Sequence, residues 1–251
     1  MRLNSAWLGL AAGVYVAASL ALFPAGTAYR WFAPPEVNFA GIEGSVWRGR
    51  AALASITGFG VYDLEWSISP WALLRGRLQA RLQARQPDGF LNAEISAGFG
   101  SIRVTDLQAT TSLATINQVV PVGDVQGLIS AQLTELELEQ GWPVRAVGQV
   151  RIAELETPLL MPSGPSDLIP LGNYVVQLID SGTPDISGTF EAQGGPVEVE
   201  GSFTLSSDRT YELTGLVAPR PDAPQEIVQA MAFLAPADET GRRSFELTGR
   251  L

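Results

Sequence analysis

The sequence predicts a mainly β protein: a curled antiparallel sheet, barrel-like or open as a groove, with one N-terminal transmembrane helix and a few short helices. Three observations carry that prediction. Several stretches alternate apolar and polar residues with the period of two that a half-buried strand requires. The alternating stretches are joined by short runs of Gly, Pro and Asp, the chemistry of hairpin turns, which implies antiparallel neighbours. Helical spacing is too scarce after residue 28 to cover the apolar side of such a sheet, so the sheet has to bury that side by curling.

In chain order, Ala6 to Phe23 carries no charge. Its 18 residues would make a helix of about 27 Å, close to the roughly 30 Å hydrocarbon core. The expected anchor residues are Trp7, Leu8, Leu10, Val14, Val16, Leu20, Leu22 and Phe23, with Trp7, Tyr29, Trp31 and Phe32 bracketing the span as interfacial aromatics. Arg2 and the terminal amine favour a cytoplasmic N-terminus. The expectation is therefore a bacterial inner-membrane protein with a single span, residues 1–28 forming tail and anchor and residues 29–251 a periplasmic β domain. A cleaved signal peptide is the competing reading, since Gly26 and Ala28 place small residues before a cut at Tyr29, but the apolar run exceeds the usual signal length.

Gly41, Gly44 and Gly49 interrupt a strand pattern that surrounds Trp47, which suggests bulges or close backbone approach. From Val61, the residues Tyr62, Leu64, Trp66 and Ile68 alternate with Asp63, Glu65, Ser67 and Ser69. Pro70 to Gly76 reads as a short helical turn opened by proline and closed by glycine. Leu78, Ala80, Leu82 and Ala84 then alternate with Gln79, Arg81, Gln83 and Arg85. After the Pro87-Asp88-Gly89 turn, Leu91 to Ala97 alternates again, as do Val144 to Ile152 and Val197 to Leu205. Thr111 to Val120 and Pro224 to Leu234 show helical spacing. Residues 158–172 hold four prolines and mark either a loop or the meeting point of two lobes.

Composition removes much chemistry. The chain has no His and no Cys, and all 16 basic residues are arginine. Imidazole and thiolate metal sites, His-activated nucleophiles, Schiff-base lysines and Gly-Lys-Ser phosphate loops are thereby excluded. A net charge of -10 argues against a nucleic-acid partner. No cofactor or metal site is expected. Ile179-Asp180-Ser181-Gly182-Thr183 matches the core string of aspartic proteases, but no second Asp-(Ser/Thr)-Gly exists to share the proton, and the string is also ordinary turn chemistry. Glu135, Glu137 and Glu139 share one side of a strand, where a solvated face is the expectation and calcium the alternative. Arg77, Arg81 and Arg85 form a ladder that suits solubility or an acidic partner. Trp71, Leu73 and Leu74 are expected beneath the sheet edge, with contact to a partner or membrane surface as the alternative.

Three segments together resemble the type II secretion system protein N family. These are Gly41-Ile42-Glu43-Gly44-Ser45-Val46-Trp47-Arg48-Gly49, then Leu64-Glu65-Trp66-Ser67-Ile68-Ser69-Pro70, then Trp71-Ala72-Leu73-Leu74-Arg75-Gly76-Arg77-Leu78. The likeness runs on more loosely to Phe245-Glu246-Leu247-Thr248-Gly249-Arg250-Leu251. It implies a non-enzymatic accessory component of the inner-membrane secretion platform, supporting export of folded periplasmic proteins, with other platform components and the inner membrane as partners. A lipid-binding or lipid-transfer groove like that of AsmA-type envelope proteins is the alternative, with lipid as a further partner. Trp71, Leu73, Leu74, Arg77, Arg81 and Arg85 are the candidate partner contacts.

Overall fold

The computed structural model describes residues 15, 18–19, 22–33, 37–56, 59–73, 75–98, 100–117, 125–158, 168–232 and 234–250. Helix α1 (Ala25–Phe32) precedes strands β1 (Val37–Gly44), β2 (Arg48–Ile56) and β3 (Phe59–Ile68); α2 (Pro70–Leu73) leads into β4 (Leu78–Gln86), β5 (Gly89–Ala97) and β6 (Ser101–Ser112). After α3 (Leu113–Ile116) come β7 (Gln126–Glu139), β8 (Trp142–Pro158), β9 (Leu168–Ile179), β10 (Ile186–Ala192), β11 (Val197–Leu205) and β12 (Thr210–Pro219). Then α4 (Gln225–Met231) returns the chain to β13 (Arg243–Arg250).

All 13 strands form one antiparallel sheet in sequence order. Each strand pairs with the one before and the one after, and β1 does not pair with β13, so the sheet is an open meander and not a closed barrel. The two faces separate cleanly because the registers keep like with like. One cross-strand row runs Ala84, Leu91, Ala109, Ala131, Val150, Val176, Phe190, Gly201, Gly215, Phe245 from β4 to β13, apolar or glycine throughout. The row one residue away runs Gln83, Asn92, Gln108, Gln132, Gln149, Gln177, Thr189, Ser202, Thr214, Glu246, polar throughout. A slip of one residue at any strand would exchange the two rows.

Side-chain size sets how this single layer is filled. Of the fifteen buried apolar residues described, six are alanines, and no large side chain among the described residues is fully buried. Bulges bend the sheet further. Asp63, Asp106 and Glu154 have φ of +46°, +51° and +52°, and each coincides with a register shift, at β3–β4, β5–β6 and β7–β8. An extra residue on one strand bends it and increases local twist.

The structure corrects the sequence reading in several places. The bulge at Asp63 shifts the phase of β3, so that Val61, Leu64, Trp66 and Ile68 share the apolar face while Tyr62 turns outward and is 48% exposed. The helix expected over Thr111 to Val120 is mostly strand at its start: β6 continues to Ser112 and only Leu113–Ile116 is helical, with residues 118–124 outside the described set. The Pro224 to Leu234 stretch does contain a helix, α4. Residues 159–167 also lie outside the described set; the strands on either side of them pair with each other, Pro158 with Leu168.

Most of the expected membrane span likewise lies outside the described residues, including Trp7, Leu8, Leu10, Val14, Val16 and Leu20. Among those described, no helix is long and apolar enough to cross a membrane. Leu22 is exposed, and the Phe23 carbonyl accepts a bond of 3.0 Å from the Val46 N–H.

Candidate functional site

The glycines of the Gly41 to Gly49 segment each have a geometric task. Gly41 takes φ +65°, where a Cβ would stand 2.8 Å from Ala52 Cβ. Gly49 carries the ring of Trp66 across its open face, and a Cβ there would meet Trp66 Cε2 and the Glu43 carbonyl oxygen, both at 2.8 Å. The Trp66 indole N–H donates to the Val46 carbonyl at 3.0 Å, fastening β3 to the β1–β2 turn. The segment is therefore the joint that brings β1, β2 and β3 into contact over the N-terminal end of the sheet.

Two clefts flank that joint. The first, about 590 Å³, lies between α1 and the apolar faces of β1 to β5. Alanines make the room: Ala25, Ala28 and Ala33 in its roof, Ala54 and Ala80 in its floor. Tyr29, Phe39 and Trp66 form a wall of near-parallel rings, with centroids 5.4 Å apart for the first pair and 6.3 Å for the second. The polar atoms of that wall are already engaged. Tyr29 donates its hydroxyl proton to the Val37 carbonyl at 3.0 Å and accepts from the Phe39 N–H at 3.2 Å, and the Trp66 N–H is held by Val46. The cleft therefore matches an apolar occupant.

The second cleft, about 1100 Å³, opens beside the β3–α2–β4 corner. Trp47 and Trp71 supply its aromatic lining, Arg48, Arg81 and Glu94 its charge. Ile68 and Ala80 belong to both clefts and separate them. Trp71 is not beneath the sheet edge: it is 75% exposed, and Leu73 is exposed as well. The cause is α2, which is only four residues long and buries none of its side chains. Leu74 lies outside the described residues. Arg77, Arg81 and Arg85 are all exposed. Arg81 is spoken for by an ion pair with Glu94 on β5, so the three do not act as a free cationic ladder.

The remaining sequence candidates resolve into surface chemistry. Asp180 accepts from the Gly182 N–H at 3.1 Å and Ser181 bonds to Thr183 at 2.9 Å, an Asx turn joining β9 to β10,. The other Asp180 oxygen pairs with Arg145. Arg103 reaches Glu135 and Glu137, both at 3.1 Å, and Arg145 reaches Glu135 at 3.7 Å. The acidic strand face is thus cross-linked by arginine from the strands on either side, and among the described residues no group of three or more His, Cys, Asp or Glu has metal-binding geometry.

Sequence reasoning missed the first cleft. Tyr29 reads from the sequence only as an interfacial aromatic, and Phe39 and Ala54 carry no signal, because a cleft arises from which small residues face each other across the fold.

These features define a class: single-layer β-meander proteins with one apolar face, one polar face and a roofed cleft at the N-terminal end. The family model for protein N of the type II secretion system (T2SS) matches residues 35–246, and the chain belongs to that family. It is 24% identical over 228 residues to the type II secretion system protein N of Aeromonas hydrophila, covering 87% of this chain and 86% of the relative. To the protein of the same name from Vibrio cholerae it is 23% identical over 229 residues, with the same coverage of each chain. No solved structure matches it significantly. Membership makes the chain a type II secretion component.

Proposed function

We propose that this protein is an accessory, non-enzymatic part of the inner-membrane secretion platform, tethered by Ala6 to Phe23 with residues 29–251 in the periplasm. It would support export of folded proteins across the outer membrane by contact with other platform components. The observation that carries this reading is that the family match runs from β1 into the first half of β13, so the matched region is nearly the whole sheet. The contact surface is the second cleft, where an exposed tryptophan beside arginines has the composition of interface hot spots. Of the candidate contact residues Trp71 and Arg81 line it, and Leu73, Leu74, Arg77 and Arg85 are the further candidates close to them in sequence. In a strain lacking the chromosomal copy, complementation with Trp71→Ala should restore export less well than wild type at equal protein level. Asp180→Asn should restore it fully, because the amide oxygen still accepts from Gly182 and only an exposed ion pair is lost. Export unaffected by removal of the protein would sink the reading.

A second reading, a lipid-binding groove, is favoured by one observation: the 590 Å³ cleft under α1, whose aromatic wall has no free polar atom. Ala28→Trp would fill that cleft without adding charge. Lipid that co-purifies with wild type and is lost from Ala28→Trp supports this reading; equal or no lipid in both removes it.

A further inference from the structure

The two edges of the sheet are finished differently. β1 takes a positive φ at Gly41, +65°, and its outward Val37 carbonyl and Phe39 N–H are both bonded to the Tyr29 hydroxyl. Pro24 makes a bridge to Ser45, and Phe23 takes the Val46 N–H. That edge is covered. β13 is regular over its eight residues, paired to β12 from Arg250 to Arg243 without a shift. Among the described residues nothing pairs with its other side. Its protection is charge alone: Arg243, whose guanidinium donates to the Ala235 carbonyl at 2.9 Å, Glu246 and Arg250 lie along it, but it has no proline and no bulge, and Phe245, Leu247 and Gly249 on its apolar side carry no charge. Leu247, on that apolar side, is 55% exposed.

We propose that the free edge of β13 pairs antiparallel with β13 of a second copy, about a two-fold axis through Thr248. Antiparallel pairing sets residues of the same face opposite each other, and the strand is self-complementary about Thr248. Glu246 falls opposite Arg250 in both directions, on the polar face, and Leu247 falls opposite Gly249, on the apolar face. Among the described residues neither Glu246 nor Arg250 is in an ion pair within 4.0 Å, and Arg250 acts on Asp208 only at longer range, so the joint supplies two cross-strand pairs. Centring one step earlier, on Leu247, loses both charge pairs, and centring on Glu246 sets two glutamates against each other.

The symmetry also suits a tether. A two-fold axis perpendicular to the sheet leaves both apolar faces, and with them both α1 helices, on the same side, as two copies anchored in one membrane require. This last point rests on the anchor proposed above; the edge argument does not. A joint of one short strand per copy is smaller than a standard stable interface, so the dimer is weak and is best trapped covalently.

The absence of cysteine makes that trap clean. Directly opposed residues on antiparallel strands have Cα atoms about 4.5 to 5.5 Å apart, within disulfide reach. Thr248→Cys in the full chain, in native membranes, should form a disulfide-linked dimer under mild oxidation. Glu246→Cys, whose two copies would stand about 14 Å apart along the strand, should not. On the Thr248→Cys background, Glu246→Arg should lower the cross-linked fraction about tenfold by setting like charges opposite each other, and adding Arg250→Glu should restore it. Melting temperatures of the same variants, measured on purified protein, separate pairing from folding. Cross-linking at 246 as strong as at 248, monomer throughout, capture of a different protein at 248, or no rescue by the double charge swap would each overturn the proposal. Export measured with the charge-swap variants keeps this test apart from the secretion reading, since loss of export with an intact dimer touches only that reading.

Discussion

The two ends of the sheet carry the same alternation and bury their apolar faces in different ways. At the C-terminal end, α4 sets Ile227 and Met231 against Val197 and Val217, all 7–8% exposed, with Ile169, Leu171, Val199 and Phe245 around them. At the N-terminal end, Ala25 and Ala28 of α1 and Ala33 just after it face Ala54 and Ala80, and a cleft of about 590 Å³ remains. Both ends also lay aromatic rings over glycines of the neighbouring strand, but in different numbers. At the N-terminal end Trp66 covers Gly49; at the C-terminal end Phe203 covers Gly188, Phe190 covers Gly201, Phe245 covers Gly215 and Tyr211 covers Gly249. The same secondary structure therefore yields a packed core where large side chains meet glycine and a cleft where alanine meets alanine.

The comparison is sharpest in large-to-small substitutions. Met231→Ala should destabilise by about 2 to 4 kcal/mol, because it opens a void in a closed cluster. Leu82→Ala, which lines the cleft and is only half-buried, should cost about 1 kcal/mol, since the space around it is already open. Chemical denaturation of the two variants measures this. Equal losses would mean that the N-terminal cleft is as tightly held as the C-terminal core.

A smaller difference is expected at glycine. In Gly201→Ala the new Cβ would lie against the Thr214 carbonyl and the Phe190 ring and 2.9 Å from Gly215 Cα, so about 1 to 3 kcal/mol should be lost to overpacking. At Gly60, in the N-terminal part, the nearest contact is Leu53 Cδ1 at 4.0 Å. Gly60→Ala should change stability by under about 0.5 kcal/mol, or raise it slightly through the unfolded chain. A melting temperature for Gly201→Ala equal to that of Gly60→Ala would contradict the ring-over-glycine account.

The smallest expected effect is acid sensitivity at the C-terminal end. The Thr210 hydroxyl and N–H hold the Asp208 carboxyl below its usual range, and the Thr240 hydroxyl with the Arg242 N–H does the same for Asp238. Because the folded-state values lie below the ordinary 3.8, the stabilisation is present above that pH and is lost as pH falls through the folded values. The melting difference between wild type and Asp208→Ala should therefore shrink from pH 6 to pH 3. A gap that stays constant would show that the turn bonds do not depend on ionisation.

Much of this architecture was legible in the sequence, and the reason is local. Period-two alternation places Trp66, Leu82, Ala84, Leu91 and Val199 on one face whatever the rest of the chain does, because successive Cβ atoms point to opposite sides of any strand. Pro87-Asp88-Gly89 declares a turn through its residue types, and Asp180-Ser181-Gly182 through its own hydrogen bonds as well,. The absence of Cys, His and Lys excludes whole classes of chemistry without reference to shape. Tertiary structure decided the rest. Alternation is identical in an open and a closed sheet, so only the missing pairing between β1 and β13 shows that this one is open. Tyr62 lost its expected face because Asp63 takes up a bulge, which depends on the register imposed by β4. Trp71 stands in solvent because α2 ends before it can fold back over the sheet. The cleft under α1 and the bare edge of β13 depend on which residues from distant parts of the chain meet, and which fail to meet, once all thirteen strands are in place.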